Sequence, residues 1–332
     1  MKYSIAALLL AVSAGAGAND AIGSVAAGGI VLGRTDAVAM KKEVLDVGHD
    51  RITVDYEFLN ESEADVEETV IFPMPPYPVS EQGGDAHYGQ PGAFKVTVDG
   101  KDVRSRTVVR ALVDGKDVTA QLRKAGLSDP QIAYGDMFGG PGKIKVPPLS
   151  AQQRRQLQSA KLLAPGMSGD LAPQWEAQVS YVWQQAFPRN RIVRVHHEYQ
   201  PLVGAGPAES AMDRDAVKRY CADPAFLNSW NKLVARARKG QGDYPGVAEV
   251  DYILTSGNTW KRGIEDFTLN VVKSGAGELV TLCFPGTFAK IDAKTYQVRL
   301  RNFHPTHDLA VFFGNTVSSD DTTGAEPPRL SK

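Results

Sequence analysis

Cysteine is nearly missing from this chain: Cys221 and Cys283 are the only two among 332 residues. A disulfide network cannot stand in for a hydrophobic core here, and the length leaves ample chain to build one. An excess of one charge is missing too, since 37 Lys and Arg face 38 Asp and Glu with no long block of either sign. That excludes the basic stripe expected of a nucleic-acid binder. No apolar run reaches the roughly twenty residues that a membrane helix requires, so no span is expected. Nucleotide and hydrolase signatures are lacking as well. There is no G-x-G-x-x-G after a strand and no G-x-S-x-G elbow; in the loop FGGPGKIKVPP the first Gly of a P-loop would fall at Met137, and Ile144 stands where Ser or Thr should follow Lys143. No cofactor is implied by any of these patterns.

The chain begins with Lys2, an apolar run from Ile5 to Val12 and small residues ending Ala16-Gly17-Ala18. This is the pattern of a secretory signal peptide (residues 1–18) cut before Asn19, and it predicts a periplasmic or secreted protein. In that oxidising compartment Cys221 and Cys283 are expected to pair.

The stretch Arg51 to Pro76 dictates its own structure most clearly. Ile52, Val54, Tyr56 and Phe58 alternate with polar residues, Asn60 to Asp65 is turn-forming, and Val66, Val70 and Phe72 resume the period before Pro73, Pro75 and Pro76 end it. It reads as an antiparallel hairpin. A second hairpin is expected around Asp99-Gly100, between Phe94–Val98 and Val103–Val113. An aromatic strand from Trp175 to Trp183, a Phe187-Pro188 corner and a strand from Ile192 to Tyr199 repeat the design. Val250–Leu254, Phe267–Val272, Leu279–Phe284, Tyr296–Leu300 and Leu309–Phe313 supply five further short strands. With 20 Pro and 32 Gly as punctuation, many short strands are favoured over long helices.

Helices are expected at three places. Asp117 caps Val118–Lys124, Ser150 opens a capping box with Gln153, and Asp223-Pro224 starts a helix with Phe226, Leu227, Trp230, Leu233, Val234 and Ala237 on one face. The fold class that results is mainly β, as two antiparallel β-sandwich-like units with short helical insertions. Residues 19–148 form the first, residues 149–315 the second with its helical insertion, and 316–332 a polar, disordered tail.

The segments NDAIGSVAAGGIVL, YEFLN with FPMP, YVWQQAFP with VHHEYQP, and VDYILTSGNTWKRGIEDFTLNV with FHPTHDLAVFF together resemble domain-of-unknown-function family 4424 of bacterial exported proteins. The resemblance spans nearly the whole chain after residue 18. It implies export and a mostly β fold, and it brings no catalytic residues. The Arg51–Pro76 segment alone is also similar to the VIT-type β domain of inter-alpha-trypsin inhibitor heavy chains.

Candidate sites are few. His304, His307 and Asp308 form the best metal or acid–base group, but Pro305 breaks their spacing and no third ligand is identifiable, so neither a metal site nor a catalytic residue is assigned. His196 and His197 are strand neighbours facing opposite ways. Glu61, Glu63, Asp65, Glu67 and Glu68 lack the ligand order of a calcium loop and read as a solvated turn. Trp183, Trp260, Tyr181 and Tyr252 read as core. The reading is an exported, non-enzymatic cell-envelope protein acting by binding or as a structural module, with an unknown envelope protein or ligand as partner. The alternative is a metal-dependent or carbohydrate-directed periplasmic hydrolase, which requires His304, His307 and a carboxylate to converge in one pocket.

Overall fold

The computed structural model describes residues 19–26, 29–82, 88, 94–135, 144–166 and 169–316. The expected leader, Gly28, the loop at Met137 and the tail beyond Thr316 lie outside the described residues; Thr316 itself closes the last strand.

The mainly β class is borne out, with short helices between strands. One sheet has eight strands in the order Ala289–Lys290, Thr295–Phe303, Ile264–Val272, Val38–Val47, Ile52–Asn60, Ile192–Tyr199, Phe94–Val98 and Lys101–Asp102. A second has seven, its main path running Lys116–Asp117, Arg106–Val113, Glu176–Phe187, Val66–Pro73, Ala21–Ala26 and Gly29–Leu32. The two stack face to face, because each alternating strand has one apolar side to bury. Phe94 of the first sheet stacks on Tyr181 of the second at 4.2 Å between ring centroids, and His197 of the first meets Phe72 and Trp183 of the second at 4.8 and 5.5 Å.

The expected hairpins are instead crossings between these sheets. Ile52–Asn60 pairs with Val38–Val47 and Ile192–Tyr199, whereas Val66–Pro73 pairs with Glu176–Phe187 in the opposite sheet. Likewise Phe94–Val98 pairs locally only with Lys101–Asp102, through Asp99 and Gly100 at positive φ, and Arg106–Val113 then crosses over. The Phe187-Pro188 corner makes the same crossing in the other direction. The three crossings lie side by side, so each neighbour supplies both ladders at once. Asn60 sits at zero exposure where two of them meet. Its Nδ2 donates to the carbonyls of Ala64 (2.8 Å) and Phe187 (2.7 Å), and its Oδ1 accepts from the Ser62 amide (2.9 Å) and hydroxyl (2.7 Å).

Strands from before and after residue 148 lie side by side in both large sheets, and Val38–Val47 pairs in parallel with Ile264–Val272 rather than antiparallel. Backbone ladders must be satisfied by whichever strand lies alongside, and periodicity says nothing about which that is.

A third sheet, of four strands, runs Val203–Gly204, Gly246–Tyr252, Leu309–Thr316 and Leu279–Leu282. The helix Pro224–Arg238 lays Phe226 and Trp230 on Phe312 of this sheet, its other face carrying exposed Lys232, Arg236 and Arg238. Cys221 and Cys283 lie at disulfide distance, with Cα atoms 5.0 Å apart, joining the turn before that helix to the sheet. The capping boxes at Ser150 and, unforeseen, Ser128 open the helices Ala151–Ser159 and Asp129–Tyr134. No described helix is long and apolar enough to cross a membrane.

Candidate functional site

A groove of about 670 Å³ opens where the four-stranded sheet meets the end of the seven-stranded one. Pro75, Pro76 and Pro78 belong to its lining and bring no amide donors. Glu249, Asp251 and Asp308 share the lining with Glu176, the ladder partner of Pro78. The cation in the lining, Arg219, is engaged by both oxygens of Asp251 at 2.7 Å. Asp308 Oδ1 accepts from the amide (3.0 Å) and hydroxyl (2.7 Å) of Thr255, and partial burial raises its pKa above the usual carboxylate range. The groove is thus rich in acceptors and poor in free donors.

Behind the groove, Tyr252 pairs its hydroxyl with that of Tyr56 (3.1 Å) at the edge of a buried polar cluster. Asn19, Asp20, Glu43 and His197 are all at zero exposure. A β-bulge between Met40 and Lys42 re-aims the strand, so that Glu43 shares the inward face with Leu45 and Val47. Glu43 Oε2 accepts from Asn19 Nδ2 at 2.8 Å. Both oxygens of Asp20, Oε1 of Glu43 and both ring nitrogens of His197 have no hydrogen-bond partner. Burial pushes Asp20 well above its ordinary pKa, raises Glu43 to about 8 and depresses His197, so the 3.4 Å approach of His197 to Asp20 joins two groups that burial drives toward neutrality.

The family description "Domain of unknown function (DUF4424)" matches residues 18–312. The chain belongs to this family. No curated protein matches the DUF4424 chain. Among solved structures it is similar to a "putative nutrient binding protein" of Legionella pneumophila, at 16% identity and a TM-score of 0.42, covering 90% of this chain and 70% of that one. It is also similar to an M1 zinc metallopeptidase of Deinococcus radiodurans, at 7% identity and a TM-score of 0.26, covering 84% and 43%. Neither likeness is close enough to carry function across.

The residues singled out from sequence are distributed differently in this DUF4424 protein. His304 and His307 are exposed and absent from the groove that Asp308 lines. Among the described residues no group of three or more His, Cys, Asp or Glu side chains could hold a metal ion. Glu61 is not a solvated turn residue. Arg262 grips both its oxygens, Lys261 and Lys41 lie at 3.2 and 3.7 Å, and hydrogen bonding from Arg262 lowers its pKa to about 2. His196 contacts Asp55 at 2.8 Å on the outer face while His197 points inward. Trp183, Trp260, Tyr181 and Tyr252 are buried. The groove and the Asn19–Asp20–Glu43 cluster were not foreseen. The one available signal was the shift in apolar parity within Val38–Val47, which marks the bulge.

Proposed function

We propose that this DUF4424 protein is an exported binding module of the cell envelope whose groove receives a cationic, donor-rich organic group, such as an amine or guanidinium. The observation that carries the reading is the groove's chemistry. Four acidic residues supply acceptors, the prolines beside them bring no amide donors, and Arg219 is already committed to Asp251. A ligand bringing N–H donors and positive charge would satisfy these acceptors, whereas an anion would meet like charge. Export is supported by the leader pattern at the N-terminus and by a cysteine pair at disulfide distance, which suits an oxidising compartment.

Isothermal titration with spermidine and L-arginine amide, with N-acetylglutamate as the control, tests the reading. Binding of the cations that weakens with salt and falls at least tenfold in Glu176→Gln with Asp308→Asn is expected. No binding, or equal binding of N-acetylglutamate, overturns it.

A further inference from the structure

The buried cluster at Asn19 is a site with acceptors to spare. Asn19 donates its backbone N–H to Ser256 Oγ, and Ser256 returns a hydrogen bond to the Asn19 carbonyl. The next carbonyl, of Asp20, accepts from Trp260 Nε1 at 2.6 Å, and the Ile22 amide donates to Thr259 Oγ1 at 3.1 Å. The segment is therefore built into the interior by side chains of the turn Thr255–Thr259 and its flank. Yet both Asp20 oxygens, Glu43 Oε1 and Asn19 Oδ1 are buried without a donor. Unmatched buried acceptors are costly, and buried carboxylates need a cation. The titratable groups facing them are His197, Tyr56 and Tyr252. Burial depresses the pKa of His197 and raises those of both tyrosines, so none of the three supplies a positive charge. No lysine or arginine side chain pairs with either carboxylate among the described residues.

An amide at Asn19 offers one hydrogen, which Ser256 takes. A free amino terminus offers three and a positive charge at the same atom. We propose that removal of residues 1–18 frees an α-ammonium group at Asn19 that becomes the counter-ion of the buried Asp20 and Glu43 carboxylates, so that processing completes the native fold. This rests on the export reading and its cut after Ala18. Because Asn19 is at zero exposure, the bond before it is out of a peptidase's reach once the segment has docked, so cleavage precedes docking. Folding and processing are thereby ordered: the uncut chain meets an acid pair that has to take up protons or stay unpaired.

The test compares chains beginning at Asn19 with chains carrying an extra Gly-Ser before it, each with and without Glu43→Gln. Thermal midpoints and an NMR titration of the ¹⁵N-labelled α-amine are read, and the terminus of the protein as processed by the cell is determined by mass spectrometry. The extension is expected to lower the midpoint by about 5 °C or more in the parent and by clearly less in Glu43→Gln. The Asn19 amine is expected to titrate above its ordinary range of about 7.7–8.0. The amine titration does not depend on the variant's stability, so a poorly folding Glu43→Gln chain leaves it decisive. Equal midpoints with and without the extension, or an amine titrating in the ordinary range, overturn the proposal while leaving export untouched. A processed terminus other than Asn19 overturns the proposal, and a chain that keeps Met1 overturns export as well.

Discussion

Replacing Asn60 should unfasten two crossings between the sheets at once. Asn60→Ala removes both donors to the carbonyls of Ala64 and Phe187 and the acceptor for Ser62. The Phe187 contact is buried, and an abandoned buried carbonyl costs about 1–3 kcal/mol; the Ala64 and Ser62 groups can recruit water and should cost about 1 kcal/mol each or less. The expected loss is about 3 kcal/mol, read as a lowered urea midpoint with unchanged slope. Asn60→Asp is the sharper test. It keeps the acceptor for Ser62 but turns two donors into lone pairs facing carbonyl oxygens, in a place with no exposure. At pH 7 it should therefore be more damaging than alanine, and part of the loss should return at about pH 4, where the introduced carboxyl can take a proton and donate once. An alanine variant within about 1 kcal/mol of the parent, or an aspartate variant milder than alanine at pH 7, would refute the argument that Asn60 holds the corners through its amide donors.

Alkylation of unreduced, denatured protein should label neither Cys221 nor Cys283; with a sequence separation of 62 the cross-link should contribute about 4 kcal/mol, so Cys221→Ala with Cys283→Ala should melt lower. Trp230→Ala should cost about 3–5 kcal/mol in urea denaturation, because a nearly unexposed indole that packs edge-on to Phe312 leaves a large cavity between helix and sheet. Glu61 has a depressed pKa, so its stabilisation is present above its ordinary value near 4.5 and lost as pH falls through about 2. The acid-unfolding curves of the parent and Glu61→Gln should accordingly differ above that window and converge below it, and curves separated by the same amount at pH 2 and pH 6 would contradict the assignment.

Much of the strand content was legible because it depends on alternation along the chain. Ile52, Val54, Tyr56 and Phe58 are inward as their period requires, and the helix with Phe226, Trp230, Val234 and Ala237 buries the expected face. Partnership was not legible. A short polar corner such as Asn60–Asp65 can fold a strand back on its neighbour or send it across to a facing sheet, and alternation is satisfied either way. The acid at Glu43 was hidden for a related reason: a bulge inverts the parity after Met40, so a residue in a charged-looking KKE run points into the core. The groove escaped because its carboxylates come from positions as far apart as Glu176 and Asp308, brought together only by sheet order.

The parallel pairing of Val38–Val47 with Ile264–Val272 has a consequence for how the molecule reaches its shape. The central strand of the larger sheet cannot gain its neighbour until more than two hundred later residues have emerged, so the early part of the chain has to wait with one ladder open. Non-local pairing of this kind makes for slow collapse and long exposure of sticky strand margins, a hazard that holding factors relieve during synthesis or passage. A chain cut short anywhere before Ile264 would keep that margin permanently unpaired. Such fragments should clump rather than persist as half-sized, independently folded pieces.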